Sequence, residues 1–220
     1  MKQLLFILSI FGFYFSSFAQ KNKSPYKCGF YDRDSAQVRK TYETNLKYWE
    51  VQKGETVASI GPANGNLEVR CSIFIDSINW TLEEIDSSCL NKIEFDKVLN
   101  YYQTLSNKKI IGNFNLVIGN ETGTNLPANT YDRALLINVY HELTKQKEII
   151  AEVYKILKNN GKLVIMEKMA NRKGKKRGDC NHIMPYEPDF MKLLLEQKFE
   201  LVSRTDVHSL TYFIFKKVVS

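Results

Sequence analysis

The chain contains no CxxC pair and no Cys/His spacing of the kind that holds zinc. No segment after the first twenty residues approaches ~20 uninterrupted apolar positions, which argues against a spanning helix. Nothing repeats internally, and no long low-complexity linker divides the 220 residues, so one globular domain is the expectation. Acidic residues are not scarce enough to leave a strongly basic surface: 31 Lys and Arg stand against 24 Asp and Glu. The resulting +7 is too mild to mark a nucleic-acid footprint, and nucleic acid is not an expected partner.

What is present begins with "MKQLLFILSIFGFYFSSFAQ": one lysine, an apolar run from Leu4 to Phe15, then Ser17 and Ala19 before a cut. This is the pattern of a cleavable secretory signal peptide, residues 1–19, and predicts an exported protein, periplasmic or secreted. Its removal takes away only Lys2, and the charge falls from +7 to +6. No cysteine follows Ala19 directly, which argues against a lipid anchor there. Four cysteines, Cys28, Cys71, Cys89 and Cys180, then find themselves in an oxidising compartment, with three possible connectivities. Cys71 and Cys89 read as buried apolar residues beside regular elements, leaving Cys28 with Cys180 as the expected bridge.

Residues 20–53 form a polar lead-in and a helix with Val38, Tyr42, Leu46 and Trp49 at helical spacing. From 54 to 220, short apolar runs alternate with helical patterns. "TVASIG", "INWTLEEID", "FNLVIGN", "YDRALLINVY", "KLVIME", "FELVSRTDV" and "LTYFIFKKVV" read as seven strands. Helices are expected from about Asn64, from Ser87 or Ser88, over "KQKEIIAEVYKILKNNG" with Gly161 as a left-handed cap, and over "EPDFMKLLLEQK". This order predicts an α/β fold: a doubly wound, mostly parallel seven-stranded sheet with helices on both faces. Only a few residues around His208 join the last two strands, so one of them is antiparallel.

In such a sheet the site lies beyond the carboxyl ends of the strands, where strand order reverses. "GPANG" after the first strand allows close backbone approach, and Glu84, about twenty residues on, is placed to accept hydrogen bonds from a ribose. Glu83 and Asp86 compete for that role. By strand alternation Glu84 shares a face with Leu82 and Glu83 points the other way.

Together, "VASIGPANGN", "LEEIDSSCL", "LVIGNETGTNLPANTYDRALLINVYHEL" and "EIIAEVYKILKNNGKLVIME" resemble the successive motifs of class I S-adenosylmethionine-dependent methyltransferases, over nearly all of the mature chain. "DRD" near Asp32 and "INVYHEL" resemble a subgroup of small exported bacterial proteins of this kind. The resemblance implies a Rossmann-like methyltransferase fold and S-adenosylmethionine as cofactor. It places Ser59, Gly61, Ala63 and Gly65 at the methionine end, Glu84 on the ribose, Ile85 after it, and Asn120 or Glu121 beside the adenine. Asn138 would face the cofactor from the end of the fourth strand. Two positions depart from the family pattern: Ser59 stands where an acidic residue is usual, and Ala63 where the middle glycine is usual.

Methyl transfer asks the protein to align a nucleophile, exclude water and sometimes remove a proton. His141, just past the fourth strand, is the candidate base, with a structural histidine beside a helix start as the competing reading. His182 in "CNHIMP" falls in a loop expected to face substrate. The basic run from Arg172 to Arg177 reads as a solvated loop or a lid. Trp49 and Trp80 read as packing residues. A methyltransferase acting on a small molecule is the leading reading, and a catalytically inactive binding protein of the same fold in the cell envelope is the alternative. An oxidoreductase is disfavoured, because the glycine spacing fits the methyltransferase loop better and no hydride-transfer constellation is visible.

Overall fold

A computed structural model of the chain describes residues 24–219, so the expected signal peptide lies outside the described residues. The first helix, α1, spans Ser35–Thr44 and is capped by the Asp34 carboxylate, which accepts from the Gln37 backbone N–H at 2.8 Å. A short 3-10 turn, Leu46–Trp49, ends it. The doubly wound unit follows: β1 Thr56–Ile60, α2 Asn66–Cys71, β2 Ile78–Glu84, α3 Lys92–Ser106, β3 Gly112–Ile118 and β4 Tyr131–Ile137. Then come α4 Gln146–Ile156, β5 Leu157–Glu167, α5 Glu187–Glu196, β6 Phe199–Val207 and β7 Leu210–Lys217.

The strands form one seven-stranded sheet in the order β3-β2-β1-β4-β5-β7-β6. Strands β1 to β5 pair in parallel, and β7 runs antiparallel to both β5 and β6. Alternation along the inner strands separates two cores. Val57, Leu82, Leu135 and Val164 face the layer of α1, α2 and α3, while Ala58, Leu136 and Ile165 face α4 and α5. Trp49 and Trp80 are fully buried in the first layer, as packing residues should be. Tyr26, Val38 and Leu46 join the same core, so the lead-in packs as part of it.

The lead-in is anchored by polar groups as well. Arg70 on α2 pairs with Asp32 at 2.9 Å and donates to the Tyr102 hydroxyl at 2.7 Å, and the Tyr102 hydroxyl bonds that of Tyr26 at 3.0 Å.

Four sequence expectations are corrected here. Cys28 is bonded to Cys89, not to Cys180, because the lead-in crosses the loop after β2 and brings their Cα atoms to 5.6 Å. Cys89 is therefore a half-buried bridge residue; Cys71 is buried and free as expected, and Cys180 is free. Helix α3 starts later than the serines, since Asn91 is its cap, accepting from Glu94 N–H at 3.0 Å. Gly161 is no helix cap either. The chain leaves α4 in extended conformation at Leu157, and Gly161 lies inside β5 at a register shift. There a Cβ would sit 2.9 Å from the Lys158 carbonyl and 3.0 Å from that of Tyr131, so space rather than backbone angle calls for glycine.

Candidate functional site

Strand order reverses between β1, which continues to β2, and β4, which continues to β5. Loops leaving the carboxyl ends on either side of that point diverge and leave a crevice. The crevice here has a volume of about 200 Å³ and is bounded by the glycine loop, the end of β2, residues 120 and 121, and the turn after β4.

The glycine loop is tightly wound. Gly61, Ala63 and Gly65 all have positive φ, 67°, 54° and 75°. Gly61 continues the sheet by donating to the Glu83 carbonyl at 2.8 Å, and a Cβ on it would collide with Val139. Gly65 caps α2, with Leu82 and Phe95 packed where its side chain would be. Ala63, although not glycine, holds the left-handed conformation, which costs an L-residue about 1–2 kcal/mol. Its N–H donates to Glu84 Oε2 at 2.9 Å, which fastens the loop to the end of β2.

Glu84 is thus a hub. Its other oxygen accepts from Ile85 N–H at 2.9 Å and Asp86 N–H at 3.1 Å. Each carboxylate oxygen has two acceptor positions, so Oε2, which accepts one hydrogen bond, has capacity for a second, and Glu84 lines the crevice. Of the two competitors, Asp86 is turned to the loop, accepting from Ser88 N–H at 2.8 Å, while Glu83 also lines the crevice. Burial, and then the neighbouring Glu84 charge, push the Glu83 carboxyl up to about 8.

Gly61, Ala63, Glu84, Ile85, Asn120 and Glu121 all line the crevice, together with Val139, Glu142, Leu143 and Thr144. Ser59, Gly65 and Asn138 do not. Ser59 is buried and donates to Glu68 Oε1 of α2 at 2.6 Å. Asn138, at φ 59°, turns its Oδ1 to the Arg177 guanidinium at 2.5 Å.

His141 lines a second cavity of about 550 Å³, together with Tyr140, His182, Met184, Tyr186 and Phe190 among others, and Glu142, Leu143 and Thr144 border both this cavity and the crevice. Its Nδ1 is 2.9 Å from Oε2 of the fully buried Glu167 at the end of β5, and its own backbone N–H donates to the same oxygen at 3.2 Å. That carboxylate fixes the ring, and Nε2 on its other side lies 3.5 Å from Glu142 Oε1. His182, exposed, meets the His141 ring edge-on at 6.0 Å between centroids. Most of the basic run is exposed, yet Arg177 turns inward, 3.5 Å from His141 Nε2 and 3.6 Å from Glu167. Donor atoms of His141, Glu142 and Cys180 lie within 4.8 Å of one another, but the Arg177 charge beside them opposes a bound cation.

Sequence reasoning did not single out Glu68, Glu167 or Arg177. Glu167 had a visible signal, an acid ending the apolar run "KLVIME"; Arg177 had none, since only tertiary folding separates it from its solvated neighbours. A larger hollow of about 770 Å³ lies at the opposite, amino ends of β1 and β4, where Arg133–Glu55 and Lys158–Asp132 pairs occupy its walls. No strand carboxyl end opens into it.

Residues 90–165 match a methyltransferase domain family. A curated relative, the ubiquinone/menaquinone biosynthesis C-methyltransferase UbiE of Erwinia tasmaniensis, is 28% identical over 118 residues, 53% of this chain and 44% of that protein. The chain thus spans about half the length of this relative. Among solved structures, a SAM-dependent methyltransferase from Aquifex aeolicus superposes with a TM-score of 0.61 at 17% identity, covering 85% of this chain and 100% of that one. The [4+2]-cyclase SpnF superposes with a TM-score of 0.60 at 13% identity, over 84% of this chain and 82% of its own.

Proposed function

We propose that this chain, whose fold and matched domain are those of the class I S-adenosylmethionine-dependent methyltransferases, binds that cofactor in the crevice and methylates a small, largely apolar acceptor in the adjoining cavity. The observation that carries the reading is the Glu84 carboxylate. It lines the crevice at the switch point, ties down the glycine loop through Ala63 N–H, and has acceptor capacity beyond that bond for a ribose hydroxyl.

The residues present fit the cofactor in chemistry: a hydroxyl-accepting carboxylate, an apolar wall of Ile60, Val139 and Leu143, and amide and carboxyl groups at Asn120 and Glu121 for a polar ring edge. At about 200 Å³ the crevice is smaller than the roughly 300 Å³ at which ligand pockets usually begin, so Ile85 and the Leu143–Thr144 rim part on entry. When bound, the cofactor supplies an activated methyl group on a sulfonium. The protein supplies alignment and proton removal. Tyr140, Met184 and Phe190 give the acceptor cavity an apolar floor that excludes water. His141 lines the acceptor cavity beside Glu142, Leu143 and Thr144, which border both cavities, and buried Glu167 stabilises the imidazolium formed when it takes a proton. The relative's C-methyltransferase activity agrees with this reaction class, and the acceptor atom here is left open.

A second reading has specific support. Arg177 fills the space between His141 and Asn138, and Ser59 and Ala63 depart from the family loop, as in a fold turned to binding alone. The SpnF likeness illustrates that this fold also carries other chemistry. Calorimetric titration of S-adenosylmethionine into the purified protein and its Glu84→Ala variant separates the two. Micromolar binding lost in the variant supports the enzyme; no binding by folded protein leaves the second reading. The exported location is part of the same proposal and is checked by cell fractionation of the tagged full-length chain.

A further inference from the structure

The glycine loop is gripped by the lead-in. Asn64, between Ala63 and Gly65, is fully buried, and its side-chain amide donates to the carbonyls of Lys27 at 2.7 Å and Cys28 at 2.6 Å. Its Oδ1 accepts from the Asn66 side-chain amide at 2.7 Å, so one residue joins the loop's internal bonds to those with the lead-in. Gly29 lies so close that any Cβ on it would collide with Asn66 Nδ2. Cys28 is bonded to Cys89, and the Cys89 N–H donates to the Asp86 carbonyl at 2.9 Å. The Asp86 N–H in turn donates to the Glu84 carboxylate, whose other oxygen accepts from Ala63 N–H. These contacts close a ring through Ala63, Glu84, Asp86, Cys89, Cys28 and Asn64. Ala63 and Glu84 line the cofactor crevice from its two walls, and the disulfide is the cross-link that joins the glycine-loop side of the ring to the β2 side.

We propose that the Cys28–Cys89 bridge and Asn64 position the walls of the crevice, so that affinity for S-adenosylmethionine depends on the redox state of the bridge. The proposal rests on the cofactor reading above. Both cysteines are half-buried beside exposed Lys27, Gly29 and Ser88, within reach of a small reductant. Reduction by a dithiol breaks the S–S bond: two electrons and two protons pass to the two sulfurs as thiols, and the dithiol is left as its own disulfide. The lead-in does not then detach. Tyr26 is part of the core, and the Phe30 carbonyl accepts from the Tyr26 hydroxyl at 2.9 Å and from Arg70 Nη2 at 2.6 Å. The segment from Lys27 to Gly29 gains freedom, and with it the two carbonyls that orient Asn64, while the Lys27 N–H keeps its 3.1 Å bond to Glu94 Oε2. The loss is therefore partial, on the order of one hydrogen bond, or roughly tenfold in affinity. Linkage is reciprocal: a ligand that binds the oxidised form tenfold more tightly makes the bridge tenfold harder to reduce.

The test is calorimetry of S-adenosylmethionine with the purified protein, oxidised and in dithiothreitol, and with Cys89→Ser and Asn64→Ala, cooperative melting verifying the fold of each. The oxidised parent should bind roughly tenfold more tightly than the reduced parent or Cys89→Ser. Asn64→Ala should bind weakly in both redox states, because the bridge acts through that side chain. A second measurement reads the linkage: the equilibrium of the bridge with a dithiothreitol redox buffer, followed by alkylation and mass spectrometry, with and without saturating S-adenosylhomocysteine. The ligand should shift the potential by about 30 mV toward harder reduction, which a brace remote from the site would not show. A tenfold response to reduction retained in Asn64→Ala overturns the role of that residue. Equal affinities of the folded oxidised and reduced parent, with no shift in potential, overturn the proposal and leave the cofactor reading standing. Failure of the folded, oxidised parent to bind either ligand overturns the cofactor reading and this proposal with it.

Discussion

Replacing Glu68 by glutamine should make the protein more stable at neutral pH and leave it unchanged in mild acid. Glu68 is fully buried on α2, with Oε1 bonded to the Ser59 hydroxyl and Oε2 without a partner. Desolvation dominates and raises its carboxyl to about 7, against the Ser59 bond, which lowers it. In the unfolded chain the same group ionises near 4.5. Below that pH both states hold the proton and the residue is neutral to stability. Between about 4.5 and about 7 only the unfolded state ionises, so stability falls as pH rises, by about 1.4 kcal/mol per unit. The accumulated cost near neutrality is about 3 kcal/mol, and glutamine, which never ionises, escapes it. For a chain of this size that corresponds to a rise of roughly 6–12 °C in Tm. Glu83 and every other titrating group are common to both proteins and cancel in the difference. Thermal melts followed by circular dichroism at about pH 4.5 and about pH 7.5 provide the assay. An equal difference between variant and parent at both pH values would refute the assignment of a buried, late-titrating carboxyl.

The remaining predictions concern the cross-link and the loop. The Cys28–Cys89 bridge closes a span of 61 residues, so Cys89→Ser should cost about 4 kcal/mol in urea unfolding, and reducing agent should equalise parent and variant. Equal midpoints without reductant would mean that the bridge does not form. Ala63→Gly should raise stability by about 1 kcal/mol, because glycine adopts the φ of 54° without the Cβ clash. The same variant keeps the N–H that Glu84 accepts, so cofactor affinity should not fall, and a loss would show that the alanine methyl itself contacts the cofactor.

The order of elements, the mostly parallel sheet with an antiparallel strand near its end, the glycine loop and the acidic end of β2 are all legible in the chain, because each is set by local periodicity or turn chemistry within a few residues. Alternation along β2 likewise separates Glu83 from Glu84 by sequence position alone. Boundaries were less visible: Asn91, not Ser87 or Ser88, caps α3, and Gly161 serves a crowded strand rather than a helix end. The decisive pairings of the site depend on residues far apart in sequence, and no local pattern records them. Cys28 finds Cys89 because the lead-in crosses the loop after β2. Ser59 finds Glu68 because α2 folds back over β1, and Glu167 finds His141 because β5 lies beside β4. Arg177 leaves a solvated run to reach the same acid. The sequence alone determined which elements form and in what order, whereas the depth at which each carboxyl lies, and hence its charge, was decided only when the layers closed around it.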